Sequence, residues 1–134
     1  MRVLYFASVL LFAIGSASCS KKANHLPAFH PVKGVVQLNG QRVNGGELYI
    51  RPEESQPNLV IMAQVGNDGS FEVFSMDTQD REGKKLPGAP EGNYELTYAP
   101  PNQDQTEKLI ELASLFAVQA KSNEWVVELK ERKK

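Results

Sequence analysis

Apolar side chains recur at every second position through most of this chain, and turn residues divide the alternating runs. Val32, Val35, Val36 and Leu38 are β-formers, and they lead into Asn39-Gly40, a strong tight-turn dipeptide. Asn44-Gly45-Gly46 marks a second turn. Glu47-Leu48-Tyr49-Ile50-Arg51 then alternates until Pro52, which cannot donate to a ladder. Leu59 to Val65 is rich in β-branched and apolar residues, and Asn67-Asp68-Gly69 turns the chain into Ser70-Phe71-Glu72-Val73-Phe74-Ser75. Tyr94, Leu96 and Tyr98 share one face of a further strand. Trp125, Val127 and Leu129 share one face of the last.

Two stretches break the pattern. Met76 to Pro90 carries six charges and no apolar period, so it reads as a long surface loop. Over Thr106 to Ala120, Leu109, Leu112, Ala113 and Phe116 fall at helical spacing, while Leu115 to Gln119 also alternates as a strand does. This predicts a short helix near 106–113, a strand near 115–121 and a hairpin turn over Lys121-Ser122-Asn123-Glu124. Short strands with turn signals at regular spacing predict an all-β, Ig-like antiparallel sandwich of about seven strands.

The N-terminus follows a different rule. Arg2 precedes an apolar run from Val3 to Ile14, and Gly15-Ser16-Ala17-Ser18 supplies small residues before Cys19. A charged start, a short apolar run and a small-residue exit describe an export signal. The run is too short for a bilayer span, which takes roughly 20 residues. Residues 1–18 are therefore expected to be a signal peptide, 19–31 an anchor cysteine with a flexible tether, 32–130 the sandwich, and 131–134 a basic tail. The single cysteine has no partner for an internal disulfide. Cut just before Cys19, the chain would carry its lipid there, as in the lipobox of bacterial lipoproteins, which this segment resembles. Ser16 stands where that pattern favours leucine, and an ordinary signal peptidase accepts the same small residues. Lipidation and simple secretion are thus both open. Either places the protein outside the cytoplasm, at the cell envelope or beyond it.

Charge and composition narrow the chemistry. With 15 basic and 16 acidic residues the net charge is −1, and the signs are interspersed, so no basic stripe addresses nucleic acid. His25 and His30 lie in the proline-containing tether. Zinc needs three or four convergent ligands, so these read as solvated histidines. Neither sits on the scaffold where a Ser-His-acid triad would need one. Asp77, Asp80 and Glu82 are weak calcium candidates in the charged loop, opposed by Arg81 and Lys84 and lacking an EF-hand's spacing. Tyr49, Tyr94, Tyr98 and Trp125 are the residue types of a sugar-binding platform, although Tyr94 and Tyr98 share their face with Leu96 as core residues do. Lys33 and Asn123 match the Lys–Asn crosslink of some β-sandwich adhesins, a reaction that needs a buried acid beside them. No catalytic residues and no cofactor are expected.

Four segments, in order, resemble a known family. Val32-Lys33-Gly34-Val35-Val36 and Asn39-Gly40 resemble the opening V-x-G-x-V and N-G of carboxypeptidase regulatory-like domains. Gly45 to Pro52, Asn67 to Phe71 and Gly88 to Thr97 resemble the strands that follow. Val43 stands where the family usually has proline, and Glu107 to Phe116 departs from its usual strand lead-in. With the lipobox, the chain resembles small planctomycete lipoproteins of this type. The resemblance implies a transthyretin-like, seven-stranded sandwich without catalytic residues. Its implied role is structural or interactive, with an envelope protein as partner and a membrane reached through the lipid. A carbohydrate- or calcium-binding module is the alternative. The anchor is testable by fractionation: Cys19→Ser is expected to move the protein from the membrane to the soluble fraction, and continued membrane association of the variant refutes lipidation at that residue.

Overall fold

Period-two alternation in the sequence becomes alternation of burial along the strands. In the computed structural model, which describes residues 26–101 and 109–130, twelve strands form and no helix appears among the described residues. They are β1 Phe29–His30, β2 Val32–Leu38, β3 Gln41–Arg42, β4 Glu47–Pro52, β5 Leu59–Val65 and β6 Ser70–Asp77. The second half supplies β7 Lys85–Pro87, β8 Ala89–Pro90, β9 Gly92–Ala99, β10 Ile110–Glu111, β11 Phe116–Val118 and β12 Asn123–Leu129. Leu48 and Ile50 on β4, Ile61, Ala63 and Val65 on β5, and Trp125, Val127 and Leu129 on β12 all point inward and are buried.

Seven strands hydrogen-bond in the continuous order β10-β9-β4-β5-β6-β2-β12, matching the expected all-β sandwich of about seven strands. β11 extends the β10 edge against β9, β3 pairs with β2, and β7 pairs with β6. Every pairing is antiparallel except β2 with β12, which run parallel through seven register pairs from Val32↔Asn123 to Leu38↔Leu129. One edge of β6 serves two partners. Its first residues pair with β2 (Gly34↔Phe71), and its later ones pair with β7 (Ser75↔Leu86). The sheet is curled, and its two ends meet. The Trp125 indole N–H on β12 donates to the Ala117 carbonyl on β11 at 3.1 Å, and the Trp125 and Phe116 rings lie 5.2 Å apart.

The turns follow their residue types. Asn39 and Gly40 both take positive φ, 51° and 79°, as a tight hairpin turn requires, and they join β2 to β3 in the register Leu38↔Gln41. At Gly69, φ is 77°, and the Asp68 carboxylate accepts from the Ser70 N–H at 3.1 Å and from its hydroxyl at 2.6 Å.

Four expectations need correction. The helix proposed near 106–113 is absent from 109–113. Ile110 and Glu111 instead pair with Tyr98 and Thr97, and the Leu112 N–H donates to Leu96 O at 3.0 Å. Residues 106–108 lie outside the described residues. The helical spacing arose because bends at Ala113 and Ser114 interrupt an edge strand and bring Phe116 back toward the core. The strand placed near 115–121 is confined to Phe116–Val118. The supposed turn over 121–124 lies earlier, since Asn123 and Glu124 already belong to β12. Met76 to Pro90 is mostly not loop: β6 continues to Asp77, and β7 and β8 pair with β6 and β1, leaving 78–84 as the irregular part. Phe29 and His30, which fall within residues 19–31, form β1 and pair with β8.

One glycine is fixed by close approach. Gly34 faces Phe71 on β6 and Trp125 on β12 in one register row. A Cβ there would collide with the Trp125 carbonyl oxygen and lie 2.9 Å from Phe71 Cζ. Backbone cannot move aside as a flexible side chain does, so the overpacking cost falls on the sheet itself. Gly34→Ala is expected to destabilise the domain by about 2 kcal/mol, within the usual range for an overfilled core. Urea denaturation measures this, and a midpoint equal to that of the unsubstituted protein contradicts the packing described.

Candidate functional site

The core claims three of the four aromatic residues considered for a platform. Tyr94 is fully buried and its hydroxyl donates to the Pro90 carbonyl. Tyr98 is buried and donates to Gly45 O at 2.7 Å, while Trp125 closes the sheet as described. Burial pushes the Tyr94 phenol up to about 12 and raises that of Tyr98. Only Tyr49, 44% exposed, stays on the surface, so the four residues do not form a shared platform. Its hydroxyl donates to Glu47 at 2.8 Å, which raises the phenol's pKa.

The remaining candidates also separate. Asp77 accepts from the Gln79 N–H at 2.8 Å. Asp80 accepts from the Glu82 and Lys84 N–H groups at 3.0 and 3.3 Å, so these carboxylates shape their own loop. Glu82 is exposed, and among the described residues no three His, Cys, Asp or Glu side chains are placed to hold a metal ion. His30 lies in β1 opposite Ala89; His25 and Cys19 lie outside the described residues. Lys33 pairs with exposed Glu124 at 3.5 Å. Asn123 is buried, and its amide donates to the carbonyls of Pro31, Gln119 and Lys121 while accepting from the Gln119 N–H. A committed amide beside backbone, with Lys33 turned to solvent, is not the arrangement of a Lys–Asn crosslink.

Two surface features escaped the sequence pattern. On the outer face, strand register aligns Thr97, Tyr49, Met62, Phe74 and Pro87 across β9, β4, β5, β6 and β7. The Lys85 ammonium lies 4.6 Å from the Phe74 ring centroid, a cation–π contact. Beside this row the Arg51 guanidinium bonds the Glu95 carboxylate, which raises the arginine's pKa further. Tyr49, Arg51, Glu95, Thr97 and Glu111 line a groove of about 440 Å³ there.

The second feature is the outer edge of β12. Among the described residues β12 ends the strand order, and β2 is the strand that pairs with it. The Asn123 N–H points toward β2, donating to Pro31 O at 2.8 Å. Because successive residues of a strand direct their backbone groups to opposite edges, Glu124, Val126 and Glu128 direct theirs outward. Val126 is 62% exposed. The edge borders a cleft of about 420 Å³ between residues 110–116 and 126–130.

No family model matches the chain, and no curated protein matches it.

The clearest electrostatic consequence lies in the core. In the fold the Tyr94 phenol ionises near 12, against 10 for a free tyrosine, so the folded state holds that proton more tightly. Its contribution is complete below pH 10 and is lost as pH rises toward 12. This group alone is expected to withdraw on the order of 2 kcal/mol over that interval. Denaturation measured across alkaline pH checks this. Tyr94→Phe is expected to flatten the alkaline decline and to lower neutral stability by about 1 kcal/mol through the lost hydrogen bond. An alkaline slope unchanged by the substitution refutes the assignment.

Proposed function

We propose that this chain is an exported, lipid-anchored, non-catalytic β-sandwich that acts as a protein-interaction module at the cell envelope. The leader of residues 1–18 and the position of Cys19 support export and anchoring. The order of its V-x-G-x-V, N-G and later strand motifs supports a carboxypeptidase regulatory-like, transthyretin-like domain. The observation that carries the interaction reading is the outward-facing edge of β12, seven residues long and topped by exposed Val126. Such an edge offers backbone donors and acceptors to an extended partner, and strand addition is a recurrent mode of peptide recognition.

A photocrosslinking side chain placed at Val126 in cells tests this. A discrete adduct is expected from Val126 and none from the same probe at Lys84, which lies on the exposed 78–84 segment. Loss of the difference between the two positions counts against the reading.

A further inference from the structure

The side chains along the β12 edge constrain what can dock there. Glu124 and Glu128 flank Val126 at two-residue spacing, all three exposed on the same face of the strand. Across the adjoining cleft stands Glu111, also exposed. Glu128 spends one carboxylate oxygen on the Gly40 N–H at 3.0 Å, and Glu124 shares Lys33 with solvent at 3.5 Å. Glu128 lines that cleft, whose apolar wall holds Leu112, Leu115, Phe116 and Val126 and whose end carries Lys130; Glu124 lies outside it, beside Lys33.

This pattern disfavours a second copy of the chain. Antiparallel pairing of two β12 edges about Val126, the register with the fullest overlap, sets Glu124 of each copy opposite Glu128 of the other. Like charges directly opposite each other destabilise a strand pair. An extended segment with basic side chains at those positions meets both carboxylates and seats an apolar residue against Val126.

We infer that the β12 edge receives an extended peptide segment with an apolar residue flanked, two positions to either side, by lysine or arginine. This rests on the interaction reading above and names the chemistry of its partner.

The test uses the mature chain with Cys19→Ser and two capped peptides. In one, threonine alternates with lysine, valine and lysine; in the other, glutamate replaces lysine. Binding is followed by fluorescence anisotropy, and contact by backbone amide shifts in NMR. The lysine peptide is expected to bind about tenfold more tightly, with the largest shifts at Glu124, Val126 and Glu128. Glu124→Gln with Glu128→Gln, isosteric and on the surface, is expected to close most of that gap. Val126→Pro removes an N–H that β2 does not use, so it is expected to stay folded by circular dichroism and to bind neither peptide.

Equal binding of both peptides, abolished by Val126→Pro, overturns the basic partner and leaves strand addition standing. Binding of neither peptide, or binding that survives both sets of substitutions, overturns strand addition at this edge as well. A concentration-dependent dimer in sedimentation that disappears in Val126→Pro assigns the edge to a second copy and overturns the inference.

Discussion

The fold depends on the position of one indole. Trp125 pairs in register with Gly34, and its ring reaches across to Phe116 and donates its N–H to Ala117. Those contacts join β12, the last strand in the hydrogen-bonding order, to β11 at the other end. A twisted seven-strand sheet left open would expose its inner face to water; the tryptophan brings its two margins together over a common interior. The close approach of the Trp125 backbone carbonyl and the Phe71 ring to β2 exists only because residue 34 lacks a side chain. Hydrophobic burial, the closing hydrogen bond and the glycine are thus one constraint seen from three sides.

Around that closure the buried polar groups are matched to backbone. Ser75 donates to Gly88 O at 2.7 Å, Tyr94 to Pro90 O and Tyr98 to Gly45 O. Asn123 gathers three carbonyls where the chain enters β12. Each of these side chains fastens a connecting segment onto a strand. An unpaired buried carbonyl costs free energy, so these bonds fix where loops attach as well as adding stability. The result is a scaffold whose irregular segments are tied down at β8, at the Gly45 turn and before β12, while among the described residues no strand pairs with the outer edge of β12.

Much of this was legible from residue pattern. Alternation marks β4, β6, β9 and β12, β-former content marks β2 and β5, and the Asn-Gly dipeptide marks the β2–β3 turn, which takes positive φ at both positions. The errors share a physical origin in short or interrupted strands. β7, β8 and β10 have two or three residues each, too few to display a period, and two of them contain proline. The spacing of Leu109, Leu112 and Phe116 mimicked a helix because bends shifted the phase of a strand. Alternation also gives no account of which strands are neighbours. The row of Tyr49, Met62 and Phe74 exists only through register between β4, β5 and β6, and the edge of β12 becomes an edge only through the strand order. Alternation puts Trp125 on one face with Val127 and Leu129, but its bond to Ala117 depends on the curl of the whole sheet.

The parallel pairing of β2 with β12 has a mechanical consequence. β2 is entered from the N-terminal side and β12 is left on the C-terminal side, and the two lie side by side along seven register pairs. Tension drawn through the chain from its two flanks would slide these strands past each other. Their ladder would then have to rupture all at once, unlike an antiparallel hairpin, which unzips one pair at a time. Linked in series between a fixed point and a moving one, the domain would resist pulling through a shear clamp, with the short β1–β8 pair peeling away first.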